Sequence, residues 1–165
     1  MARNWRVGMA TWQAFADAAP GMAALGTMLM RKNEGVVYFA TVREDGSPQV
    51  HPVIPYEWDG RLWVFIVEFT AKYGDLVRDG RYAFHTGPGG PAREEFHVSG
   101  RARLVAETEV REAVAASAGI AKAAWEMLFE LSLERCLETT WTGWGTPEIR
   151  PSFTRWSEAR GVTVL

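Results

Sequence analysis

Through the middle of the chain, apolar residues come in short runs divided by Asp-Gly pairs, and the runs read as strands. Val36 to Glu44 is the first, followed by Asp45-Gly46. Ser47 to Trp58 is the second, followed by Asp59-Gly60, and Arg61 to Val67 is the third. Asp-Gly is a strong hairpin signal, because a tight two-residue turn needs positive φ at both central positions. Two such turns predict a three-strand antiparallel meander. The third strand is apolar on both sides, with Leu62, Val64 and Ile66 on one and Trp63, Phe65 and Val67 on the other. A strand covered on both faces suits a barrel wall overlaid by helices or by a second subunit. Pro48, Pro52 and Pro55 lie in the second strand. Proline cannot donate to a ladder, so this strand is expected at an edge or broken.

Helical spacing flanks the meander. Thr11 to Ala19 predicts a short helix capped by Thr11, and Met22 to Lys32 predicts a second with Met22, Leu25, Met28 and Leu29 on one face. Beyond the meander, Ala71 to Asp79 reads as a short helix ended by Gly80, and Arg81 to Thr86 as a fourth strand. Gly87 to Pro91 is a loop. In Glu94 to Val105, Phe96, Val98, Gly100, Ala102 and Leu104 alternate with polar residues, the signature of a half-exposed strand. Glu109 to Ala118 and Ile120 to Leu131 are expected as helices. Cys136 to Trp141 and Ile149 to Trp156 are expected as closing strands. The fold class is therefore α+β: a small antiparallel barrel, closed or split, of about six to seven strands with inserted and flanking helices. The 165 residues suit one domain, with 1–34 as a helical segment packed on the barrel.

Composition narrows the function. The chain is 47% hydrophobic, with eight Trp, eight Phe and four Tyr, so aromatic surface remains for an interface or a flat ligand beyond ordinary core packing. Eighteen basic against twenty acidic residues leave a formal charge of −2. That is no field to attract nucleic acid. No run approaches the ~18 apolar residues of a membrane span. No apolar stretch of the signal-peptide kind follows Arg3 and Arg6, and a cytoplasmic location is expected. Cys136, the lone cysteine, reads as a buried inert thiol. His51, His85 and His97 have no known metal-ligand spacing, so no metal site is expected. No protease, P-loop, esterase-elbow or dinucleotide motif occurs, and no catalytic residue is assignable.

One segment does carry chemistry. Thr70 stands at the N-cap of the short helix and Lys72 in its first turn. Helix N-termini offer unpaired N–H groups and a positive dipole end, so a hydroxyl and an ammonium there can cradle a phosphate. The bland alternative is a plain cap and a solvated lysine. A barrel, a phosphate cradle and surplus aromatics together point to a bound cofactor carrying the reaction.

The order of these segments resembles the pyridoxamine 5′-phosphate oxidase-like group of FMN-binding split barrels. The resemblance rests on Val37 to Val42, Asp45-Gly46-Ser47-Pro48, Val50 to Tyr56, Asp59 to Val64, and Thr70-Ala71-Lys72 with Leu76. Arg81 to His85 and Val98 to Ala102 continue it. It implies a homodimer with FMN, or a related deazaflavin, in clefts at the subunit interface, acting on a small-molecule redox substrate. It places His51 at the basic second-strand position, with Val53 and Ile54 beside the ring. Phe65 and Ile66 fall near the ribityl chain or phosphate, Thr70 and Lys72 at the phosphate, and Glu95 at the fifth-strand contact. The chain departs from the family pattern at Ala71, where an arginine is usual, at His51, where an arginine is common, and in lacking a basic C-terminal segment. These departures argue against pyridoxamine phosphate as substrate. They leave two other readings open: a non-catalytic binder of flavin, deazaflavin or haem, and a cofactor-free interaction module.

Overall fold

The computed structural model describes residues 9–90 and 92–165; the first eight residues of the 1–34 segment lie outside the described residues. The helices α1 (Trp12–Ala18) and α2 (Pro20–Met30) come first, then the strands β1 (Val37–Val42), β2 (Pro48–Val53), β3 (Pro55–Trp58) and β4 (Arg61–Val67). Next are α3 (Ala71–Arg78), β5 (Arg81–His85), β6 (Glu95–Leu104), α4 (Thr108–Ser117), β7 (Glu126–Thr142), β8 (Arg150–Ser157) and β9 (Gly161–Val164). As expected, Thr11 caps α1, its hydroxyl accepting from Ala14 N–H at 3.1 Å.

All strand pairings are antiparallel, in the order β2-β1-β5-β6-β7-β4-β3. The two ends of that path, β2 and β3, are consecutive in the chain and joined only through Ile54. The sheet must therefore curl until its ends meet, closing covalently where it does not close by hydrogen bonds. The proline-bearing segment behaves as its composition demands: it breaks at Ile54, and both pieces are edge strands. Inside the curl, Val37, Phe39, Leu62, Val64, Ile66, Phe84, Val98 and Leu131 are fully buried. The helical segment plugs the same core. Phe15 meets Trp156 edge-on, with ring centroids 5.0 Å apart, and Trp12 meets Phe96 at 6.2 Å.

Two expectations are corrected. Ile120 to Leu131 is not a helix; Glu126–Thr142 is one long strand, β7. Its first half lies between β4 and β6, and its second half between β6 and β8. Glutamate and leucine favour helices. In this run, however, the buried Phe129, Leu131 and Leu133 alternate with Glu130, Ser132 and Glu134. That period of two lets the strand bury one face while bonding on both edges, which outweighs local propensity. The described residues form nine strands, not six or seven, because the second predicted strand divides and the β8–β9 hairpin adds another.

Candidate functional site

The site begins where β4 ends. Thr70 turns the chain into α3, but its hydroxyl donates to Val67 C=O at 2.7 Å and caps no helical amide. Its proton is thus committed to the turn. Ala71 and Lys72 occupy the first helical positions, where amides lack an intrahelical acceptor. One turn further on, buried Asp75 ties α3 to the first two strands. It accepts from the Thr41 hydroxyl at 2.8 Å, from Gln49 Nε2 and from Arg78 Nη2 at 3.1 Å. Arg78 also donates to Val42 C=O at 2.6 Å. Burial pushes the Asp75 carboxyl up, but these donors outweigh it and hold the group below the ordinary carboxylate range.

The same anchor aligns His51. Thr41 pairs with Gln49 and Phe39 with His51 across β1 and β2, so His51 shares the inward face with Gln49, two residues along. His51 Nε2 has no accessible surface and no hydrogen-bond partner among the described residues. Burial holds the imidazole below its usual pKa, the Lys72 charge adds to this, and Asp75 opposes it. Burial likewise lowers the Lys72 ammonium, which has no ion pair among the described residues. Two nitrogens that want a partner therefore share one mouth of the barrel.

The other expected residues separate. Val53 is buried, and Ile66 is wholly so on the inner face. Ile54 is exposed at the β2–β3 junction. Phe65 points to the opposite face, into a second cluster beneath α4, edge-on to Tyr56 at 5.9 Å and with Lys122 Nζ 5.0 Å from its ring. Glu95 alternates with the buried Phe96 and so lies on the outer face of β6. There it accepts from Trp141 Nε1 at 3.1 Å and sits 3.5 Å from His85 Nε2. The structure thus gathers His51, Thr70 and Lys72 and leaves Glu95 on the other side of the sheet.

Two features escaped the sequence reading. One is Asp75, whose partners come from two other strands. The other is the outer-face group of His85, Glu95, His97 and Trp141. His85 Nδ1 accepts from Gly87 N–H at 2.9 Å, and the His85 and His97 rings lie 6.5 Å apart. Burial keeps His97 below its usual pKa, with His85 adding to the effect. The strand alternation alone would have put His97 and Glu95 on one face. A hollow of about 1060 Å³ lies elsewhere, floored by Glu130 with Arg61 and Arg103 upon it. None of the eight expected site residues lines it. Among the described residues, no group of three or more His, Cys, Asp or Glu is arranged to hold a metal ion. No described helix is long and apolar enough to cross a membrane.

Several solved structures share this architecture. A haem-binding protein from Mycobacterium smegmatis is 17% identical with a TM-score of 0.51, over 70% of this chain and 51% of that one, so the chain spans about half its length. The haem storage protein HutZ from Vibrio cholerae is 17% identical with a TM-score of 0.56, over 67% and 89%. A NimC/NimA family protein from Clostridium acetobutylicum is 18% identical with a TM-score of 0.56, over 80% and 92%. At such identities the likeness speaks for the fold alone. No curated protein matches by sequence. Residues 29–151 match the family described as pyridoxamine 5′-phosphate oxidase, and the chain belongs to that family.

Proposed function

We propose that this protein binds a phosphorylated flavin, FMN or a deazaflavin, at the mouth formed by His51 and the start of α3, and serves as a flavin-dependent oxidoreductase. The observation that carries this reading is the buried His51 Nε2 near Lys72, neither with a hydrogen-bond or ion-pair partner among the described residues. A site with two unsatisfied nitrogens and a helix N-terminus fits a phosphate-bearing ligand. The bound flavin would supply the electron or hydride transfer that no side chain here provides. The chain's own part is to hold and orient. Lys72 and the first amides of α3 take the phosphate, and His51 Nε2 gains the partner it lacks. Asp75 fixes α3 so that the Lys72 ammonium and His51 Nε2 face the same space. Glu95 lies on the outer face, so it reaches the same ligand only from a second copy of the chain.

A second reading has its own observation. His97, held neutral and beside His85 on the outer face, is an imidazole of the kind haem iron takes. Two of the structural relatives are named for haem.

One measurement separates the readings: the visible spectrum of the purified protein, alone and titrated with FMN, deazaflavin or haemin. Flavin bands that saturate support the first reading, and a Soret band that His97→Ala abolishes supports the second. Lys72→Ala should weaken FMN binding about tenfold, the worth of one charge-assisted contact. Binding that is indifferent to Lys72 would remove the cradle. A protein that ignores both flavins would sink the flavin assignment altogether.

A further inference from the structure

A second hollow, of about 580 Å³, opens where β7, β8 and the β8–β9 turn meet. Arg135, Arg155 and Arg160 line it together with Ser157, Glu134 and Glu158. The ladder fixes the first two arginines. Arg135 pairs with Ser157 and Leu137 with Arg155, so the guanidinium stems are diagonal neighbours on one face. Arg160 N–H closes the turn on Ser157 C=O at 3.2 Å and brings the third stem round. None of the three guanidiniums has an ion pair or side-chain hydrogen bond among the described residues. Of the two carboxylates, Glu134 is drawn to Arg101 at 3.5 Å, leaving Glu158 alone against three cations. In a chain of formal charge −2, this is a local excess of positive charge. Three like charges about one hollow repel one another, and an anion seated among them relieves that repulsion.

We infer that this hollow is a binding site for a small diphosphate-bearing anion, separate from the His51–Lys72 mouth. The guanidinium fork matches phosphate oxygens in bidentate fashion, and three forks spread round one hollow can hold the oxygens of two linked phosphates at once. No aromatic side chain lines the hollow, so recognition falls on the phosphates and not on a stacked base. The size suits a small molecule. This site goes beyond the flavin reading and does not depend on it.

Calorimetric titration tests it, with pyrophosphate, ADP and orthophosphate as probes at about 0.1 M salt, where surface charge is partly screened. Pyrophosphate is expected to bind one per chain, about tenfold or more tighter than orthophosphate. If ADP matches pyrophosphate, the natural ligand class is a nucleoside diphosphate; if ADP is weaker, it is a bare diphosphate. Arg155→Gln and Arg160→Gln should each lower pyrophosphate affinity about tenfold. Arg31→Gln, which removes the same charge from the end of α2, should change it less than about twofold. Circular dichroism confirms that each variant folds. Pyrophosphate no tighter than orthophosphate, or Arg155→Gln and Arg31→Gln variants that behave alike, would overturn the site.

Discussion

Asp75 is the residue on which the candidate site turns, although it touches no ligand in the reading above. Three donors from two strands and its own helix converge on one buried carboxylate. Asp75→Asn keeps the shape but sets an N–H₂ against donors that already point inward. The loss should be about 3 kcal/mol, the cost of breaking a buried charge-assisted network. For a chain of this size that lowers Tm by roughly 6–12 °C. The sign of the pH dependence follows from the depressed carboxyl. Its stabilisation is present above the unfolded carboxylate value of about 3.9 and is lost as pH falls through the lower folded value. Denaturant unfolding should therefore show the gap between wild type and Asp75→Asn narrowing towards about pH 3. A gap that stays constant with pH would mean that the ionised carboxylate is not its source. Lys72 was legible as a candidate because a helix start is a local signal, and His51 only through the family resemblance. Asp75 was not, because its partners lie 34 and 26 residues away and only the β1–β2 register brings them together.

At the scale of elements, β7 shows where local reading runs out. The segment has the composition of a helix and the periodicity of a strand, and the periodicity prevails because β4 and β6 claim both of its edges. The prolines of β2 and the Asp-Gly turns were readable because each acts through its own backbone. Pairing across the sheet acts through residues far away in sequence. The same pairing makes Gly100 critical. The β6–β7 register shifts between Ser99 and Gly100, and a Cβ at Gly100 would overlap the Ser132 carbonyl. Gly100→Ala must force the two strands apart at the bulge. We expect a loss of about 3 kcal/mol or more by denaturant unfolding, well above the usual effect of a Gly-to-Ala change. Gly74→Ala is the contrast, since its Cβ would meet nothing within 4 Å and lies inside α3. It should stabilise the protein by up to about 1 kcal/mol. If the two variants behave alike, close approach at the bulge is not what demands glycine.

For the whole molecule, the decisive fact is that residues expected to share one ligand lie on two faces of one sheet. His51 and Lys72 open inward at the α3 end, while Glu95 lies outside. The outer face of β1 and β2 is apolar and uncovered: Tyr38 is 53% and Val50 61% exposed, with small Ala40 beside them. A second copy laid on that face would cover it and bring a foreign Glu95 towards the mouth. Sedimentation should therefore give about twice the 18.4 kDa chain mass. Mass alone does not show a shared site, but complementation does. Lys72→Ala damages one half-site, and Glu95→Trp obstructs the other. If the halves come from different chains, each homodimeric variant has two spoiled sites. A heterodimer then has one doubly spoiled site and one intact. Random reassembly of an equal mixture makes half of the dimers mixed, so roughly a quarter of all sites should regain wild-type FMN affinity. If each site lies within one chain, mixing restores none. A monomer that binds FMN fully would place the whole site on one chain and refute the shared-cleft reading.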